Sequence, residues 1–397
     1  MDLSVFKQEL EQELQAILAY WMQYAIDDAQ GGFYGKIDNN NNRYSHAPKG
    51  AVLNARILWT FSAAGILTGQ KEYIEVATRA FRYICDHFVD KEFGGVYWTV
   101  SSNGRRLDTK KQIYALAFAI YGCSEYYRAT QHEPARTLAI ELFNTIQQYS
   151  YDAERSGYLE AFSQDWQPLA DLRLSAKDAN EKKTMNTHLH IVEAYASLYG
   201  IWPNHNLANL IYQLLQNFDG HIIDKRSGHL QLFFDEHWTV RSQTISFGHD
   251  IEASWLLPEA AKAIESNEMI NRMEANAVKL ACAAKEKGLD ADGGLWYEYE
   301  PLHQQLVEEK HWWPQAEALV GFFNAWQLTG NEEFLNATFN NWSFIKQHIR
   351  DNRNGEWFWG VYKDYSLMPD QDKAGLWKCP YHNGRACLEL IKRISNS

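Results

Sequence analysis

An all-α fold, an (α/α)6 barrel of about twelve helices with short β-hairpins at one rim, is predicted for this 397-residue chain by three observations. The first is a repeat. Six times, at intervals of 61 to 71 residues, a glycine stands in a short aromatic, strand-like run: Gly32 in GGFYGKI, Gly95 in FGGVYWTV, Gly157 in SGYLEAF, Gly228 in SGHLQLFF, Gly294 in DGGLWYEYE and Gly355 in NGEWFWGVY. A unit of this length cannot bury its own apolar face, so like units array around a shared core. The second is an alternation of helix type between the runs, one helix charged along a face and the next apolar all round. The third is continuity. No run of Pro, Ser or charge interrupts the period, so residues 1–397 read as one domain although the length would allow two.

The elements follow in order. VFKQELEQELQAILAYW suits an outer helix over 4–26, and GAVLNARILWTFSAAGIL an inner one over 50–68, covered on both sides. The same pairing continues as 72–90 with 110–130, 133–150 with 186–199, 205–218 with 249–265, 269–287 with 311–329, and 331–349 with 381–394. Pro314 falls in a first turn, where the missing N–H costs nothing, but Pro258 lies inside 249–265 and predicts a kink or an earlier end there. The glycine runs become hairpins, and the longer loops 163–185 and 361–380 shape the mouth of the barrel.

Composition narrows the function. A formal charge of −12 without a basic stripe argues against nucleic acid. Fifteen Trp, 22 Tyr and 19 Phe exceed core needs and suggest some sugar-stacking walls. Five cysteines (Cys85, Cys123, Cys282, Cys379, Cys387), odd in number and without CxxC spacing, indicate neither disulfides nor a zinc site. The acidic, amphipathic start and the lack of any apolar run approaching 18 residues predict no signal peptide and no membrane span. A cytoplasmic monomer acting on a small molecule is expected.

Polar residues gather where inner helices begin, and equivalent places in a ring converge on one pocket. They are Asn54 and Arg56, Tyr114, Asn186 with His188 and His190, His249 with Glu252, Trp312 with Trp313 and Glu317, and His382 with Arg385. In SFGHDIEASWLL, His249 and Glu252 share a helical face beside a glycine that allows close approach, and a carboxylate next to an imidazole fixes its tautomer; Asp250 is turned away. In TMNTHLHIVEAY, His190 shares a face with Asn186 and Glu193, whereas His188 lies about 200° round the helix and cannot point the same way. An HxH metal pair needs extended geometry and a third ligand, and neither is indicated. His382 opens the last helix, whose dipole keeps it neutral and able to take a proton. Arg56 on an apolar helix needs a partner carboxylate or a ligand oxygen. Trp313 and Trp377 offer indole faces to a pyranose, and Tyr297, Glu298 and Asp178 are rim candidates.

The segments KGAVLNARILWTF, MNTHLHIVEAYASLY, SFGHDIEASWLL, HWWPQAEALVGF and WKCPYHNGRACLE together resemble the N-acylglucosamine 2-epimerase superfamily, and most closely its cellobiose 2-epimerase branch, over essentially the whole chain. The resemblance implies reversible inversion at C2 of the reducing-end glucose of a β-1,4-linked disaccharide, cellobiose to glucosyl-mannose or lactose to epilactose, with no cofactor and no metal. It implies that His249 and His382 are the acid/base pair, that His190 stands near O1 and the ring oxygen, and that Glu252 partners the first base. Arg56, Tyr114, Asn186, Trp313 and Trp377 match substrate-contact positions, Asp178 and Glu298 outer-subsite ones. Two histidines on opposite faces of C2 suit proton removal and redelivery through an enediolate, whose charge Arg56 and His190 could stabilise. Two other readings stand beside this one: a monosaccharide (mannose, glucose or N-acetylglucosamine) 2-epimerase or aldose–ketose isomerase, and a glycoside hydrolase using a carboxylate pair drawn from Asp178, Glu252, Glu298 and Glu317.

Overall fold

The computed structural model describes residues 2–396. Six helix pairs follow in chain order: α1 (Leu3–Tyr24) and α2 (Ala51–Thr68), α3 (Lys71–Tyr83) and α4 (Ile113–Thr130), α5 (Glu133–Tyr149) and α6 (Met185–Tyr199), α7 (His205–Asn217) and α8 (Phe247–Ala263), α9 (Asn267–Gly288) and α10 (Trp312–Thr329), α11 (Glu332–Phe344) and α12 (Tyr381–Ser395). The even-numbered helices pack each on the next, and α12 packs back on α2, which closes the inner ring. Each odd-numbered helix lies outside, against the inner helix preceding it, with α1 against α12. Burial follows this placement. In α2 every residue from Ala51 to Gly65 is buried, whereas α3 buries Tyr73, Val76, Ala77, Ala80, Phe81 and Tyr83, the spacing of a single stripe.

With 18 residues and a mean hydropathy of 1.3, α2 is long and apolar enough to cross a bilayer, which corrects the expectation that no run approaches that length. Its neighbours bury 83% of it, and protein on all sides accounts for apolarity on all sides. Of the two outcomes expected at Pro258, an earlier helix end does not occur. The helix α8 runs through it to Ala263, because the carbonyl of Ser254, which the proline cannot bond, accepts instead from Asn324 Nδ2 at 3.1 Å. A second correction concerns 72–90 and 331–349, expected as single helices; each is an α-helix closed by a π turn, at Ile84–Phe88 and Ile345–Ile349, and α7 is closed likewise by Phe218–Ile222.

All six glycine runs form the expected hairpin starts, marked by the bridges Ile26 to Phe33, Val89 to Val96, Tyr151 to Tyr158, Ile223 to Leu230, Leu289 to Leu295 and Arg350 to Trp357. Gly157 shows why glycine is required: its φ is 83°, and a Cβ there would lie 2.4 Å from the Trp238 ring. In the fifth hairpin Gly293 takes the left-handed conformation in place of Gly294. A second repeat, not read from the sequence, fastens these hairpins to the core. The buried amines of Lys49, Lys111, Lys183, Lys310 and Lys373 meet Asp27, Asp90, Asp152, Asp290 and Asp351 at 2.8, 2.7, 2.9, 2.6 and 2.6 Å. The fourth unit differs, with Ile245 on the strand before its inner helix and Asp224 accepting from the Arg226 amide at 3.0 Å and Ser227 Oγ at 2.9 Å, its one ion-pair partner among the described residues being Arg226 at 3.8 Å.

Candidate active site

The first turns of the inner helices end at one cavity of about 430 Å³. All eleven residues to which the resemblance gave a role line it: Arg56 from α2, Tyr114 from α4, Asn186 and His190 from α6, His249 and Glu252 from α8, Trp313 from α10, Trp377 and His382 from the loop and start of α12, and Asp178 and Glu298 from the mouth. Both loops expected to shape the mouth line the cavity, 163–185 through residues between Leu172 and Glu181 and 361–380 through Gln371 and Trp377, joined by the strand residues Glu298 and Glu300. Convergent helix N-termini give the cavity a positive potential, which disfavours an imidazolium and favours an anion.

Not every polar residue of those turns faces inward. Asn54 turns back along α2 and donates to the Gly50 carbonyl. His188 is buried behind the wall, accepting from the Tyr158 amide at 2.9 Å and donating to the Thr184 carbonyl at 2.6 Å, in agreement with its position on the other side of α6.

Four histidines line the cavity; His311 is engaged by Glu309 at 2.8 Å through its Nε2, and the other three each have their own backing. His190 holds Glu193 Oε2 through Nδ1 at 3.0 Å, and His382 holds Glu317 Oε1 through Nδ1 at 2.7 Å. A carboxylate can only accept, so both rings carry hydrogen on Nδ1 and leave the Nε2 lone pair free. His249 corrects the sequence reading. Its Nδ1 bonds Ser246 Oγ at 2.7 Å, and Glu252, expected to partner it, is taken instead by Arg385 Nη2 at 2.7 Å. Three-residue spacing puts both on one face of α8, but Arg385 arrives from α12 with a full charge and outcompetes a neutral ring for the carboxylate. Burial holds all three imidazoles below their usual pKa, His249 at about 3, so they are neutral bases at neutral pH.

Arg56, only 3% exposed, has no ion-pair partner among the described residues. Tyr114 Oη accepts from its Nη2 at 2.7 Å, the Trp377 carbonyl from Nη1 at 3.3 Å, and its plane lies 4.2 Å from the Phe118 ring. Its Nε and the Oδ1 of Asn186 are buried without partners, so both can serve a ligand. Trp313 stands between two histidines, 4.7 Å from the His249 ring and 5.7 Å from that of His382. Trp377 continues the wall 5.9 Å from Tyr114, and Tyr297 stacks on His311 at 3.9 Å. Toward the mouth, burial raises Asp178, and burial followed by Glu300 pushes Glu298 up to about 7.

Glu317, Arg385 and Ser246 are the parts sequence reasoning left without a role. Glu317 and Arg385 stood out by position, but a contact between α10 and α12 has no signature in spacing. The ligand atoms of Glu252, Glu317 and His382 lie within 4.8 Å of one another, which is metal-site spacing. Arg385 Nη2 donates to both carboxylates at 2.7 Å, so the cation those oxygens meet is the protein's own guanidinium.

The N-acylglucosamine 2-epimerase (GlcNAc 2-epimerase) family profile matches residues 9–386. A cellobiose 2-epimerase of Bacteroides fragilis is 50% identical over 98% of this chain and 99% of its own, and one of Dictyoglomus turgidum is 38% identical over 99% and 100%. The solved cellobiose 2-epimerase of Bacillus thermoamylovorans superposes with a TM-score of 0.94 at 37% identity, covering 98% of this chain and all of its own. A barrel of six inner helices, three of which bring a histidine to one cavity, matched in sequence from end to end, places this chain in the N-acylglucosamine 2-epimerase family.

Proposed function

We propose that the protein is a disaccharide 2-epimerase that inverts C2 of the reducing-end glucose of cellobiose or lactose by proton transfer between two histidines. The observation that carries this is the set of three neutral imidazoles gathered in one cavity with Arg56, a cation held by neutral partners only. His190 Nε2 takes the O1 proton and passes it to O5, which opens the ring to the aldehyde. His249 or His382 then removes the C2 proton, and the other, which takes up a proton from solvent while the enediolate stands, delivers it to the opposite face. Negative charge on O1 is met by Arg56 and the helix N-termini, which need no reorganisation as it develops. Ser246 suits the task given to His249: a hydroxyl can donate or accept, so this ring can change tautomer as it passes protons in either direction. The space between Trp377 and the Glu298–Glu300 strand would take the second sugar, in keeping with the names of the relatives.

Purified protein incubated in heavy water with cellobiose, glucose, mannose and N-acetylglucosamine in parallel tests the reading. Glucosyl-mannose carrying deuterium at C2 is expected from cellobiose. Release of free glucose, turnover of the monosaccharides alone, or product that keeps its original C2 hydrogen would each reject it.

A further inference from the structure

Arg385 is 1% exposed and lies behind the histidines, its guanidinium 4.8 Å from the Trp255 ring and 4.3 Å from that of Tyr381. Nη1 donates to Glu193 Oε1 and to the Tyr381 hydroxyl oxygen, and Nη2 donates to Glu252 Oε1 and Glu317 Oε1. Four acceptors thus match the four Nη hydrogens, three on carboxylates from α6, α8 and α10 and one on the Tyr381 hydroxyl of α12. The three carboxylates differ in what else they meet. Both oxygens of Glu317 face donors only, Arg385 and His382 at Oε1 and Trp255 Nε1 at Oε2. Glu193 likewise takes Arg385 and the Tyr381 hydroxyl at Oε1 and His190 at Oε2. Neither has a place for a proton of its own. Glu252 has Arg385 at one oxygen and the cavity beyond, so surplus protonation settles there; burial, then the Glu317 charge, raises its pKa.

We propose that Arg385 is a positioning residue for two of the reacting histidines at once: by holding Glu193 and Glu317 ionised on one guanidinium, it keeps His190 and His382 in the Nδ1–H tautomer with a bare Nε2 toward the cavity. The proposal rests on the reaction proposed above. It separates the two proton-transfer histidines, since His382 is backed by a carboxylate and His249 by a hydroxyl.

15N spectra of histidine-labelled protein without substrate test it, with His190→Gln and His382→Gln assigning the two rings. In the unsubstituted protein both rings are expected with hydrogen on Nδ1 and a bare Nε2. Arg385→Lys offers three rotatable donors where four fixed ones are used, so a carboxylate takes up a proton and at least one ring turns to the Nε2–H form. Deuterium exchange at C2 under saturating cellobiose should fall at least about tenfold, with KM moving less than about threefold. If Arg385→Lys does not fold, Glu317→Met asks the same question of one ring: His382 turns over and His190 does not. Either ring already Nε2–H in the unsubstituted protein, both rings unchanged in folded Arg385→Lys, or His382 unchanged in Glu317→Met overturns the proposal. The tautomers are read without substrate, so failure to turn over cellobiose would sink the reaction and leave this measurement intact.

Discussion

At the scale of single residues, what the chain spelled out was which side chains face the cavity, and what it hid was whom they bond. Helical geometry separates His188 from His190 without any knowledge of neighbours, and the structure puts one behind the wall and the other in it. Spacing is blind to a competitor arriving from another helix, so Glu252 was assigned to His249 while Arg385 held it. Gly248 gives a sharp test of how the wall is set. A Cβ there would lie 2.5 Å from the Trp313 ring, which touches both His249 and His382. Gly248→Ala must therefore displace the indole, at a stability cost of roughly 1–3 kcal/mol, and the two histidines move relative to the sugar. Net epimerisation should fall by more than the melting temperature explains. Unchanged kcat and KM in a folded Gly248→Ala protein would show that Trp313 does not set the geometry.

At the scale of elements, periodicity is what makes a barrel readable. The all-round apolarity of the inner helices and the single stripe of the outer ones are consequences of where water is, so composition reports position. The hairpin glycines were legible because a left-handed turn admits few other residues. The lysine repeat was not, since a buried ion pair joins residues some 20 to 31 positions apart whose types are ordinary on any surface. Its energetics can be checked by comparing units. Lys111→Met leaves Asp90 buried beside its hairpin with no cation, and loss of one partner of such a pair costs about 3–5 kcal/mol. Asp224→Asn, in the one unit without the lysine, keeps the turn and should cost under about 1 kcal/mol. Equal shifts of the melting temperature in the two variants would show that the pairs do not fasten the rim.

For the whole molecule, the first and last helices meet where the ring closes, α1 packing on α12 and α12 on α2, so the cavity residues Arg56 and His382 are held by contacts between chain ends. The same closure buries groups that titrate near neutrality, and their signs oppose. His188 is held by burial at about 4, below its value in the unfolded chain near 6.5, so as pH falls from about 6.5 toward 4 the unfolded chain takes a proton that the folded one refuses. This removes on the order of 3 kcal/mol, and His249, held at about 3, acts in the same direction. Glu160, buried on the cavity wall and bonded only by the hydroxyls of Thr184 and Thr187, is pushed up to about 7, above its unfolded value near 4.5. Here the folded chain keeps a proton that the unfolded one has lost, so stability falls as pH rises from about 4.5 through 7, again by on the order of 3 kcal/mol. Between about 4.5 and 6.5 the two imidazoles outweigh the one carboxyl, so the joint contribution of these three groups rises with pH and is greatest near 6.5. Glu160→Gln should flatten the decline above that pH and steepen the rise below it, whereas His188→Gln should make the rise below it shallower. A melting temperature that rises steadily from pH 5 to pH 8, in a protein with Glu160 intact, would mean that this carboxyl is ionised in the fold and that the cavity wall is wetter than its packing implies.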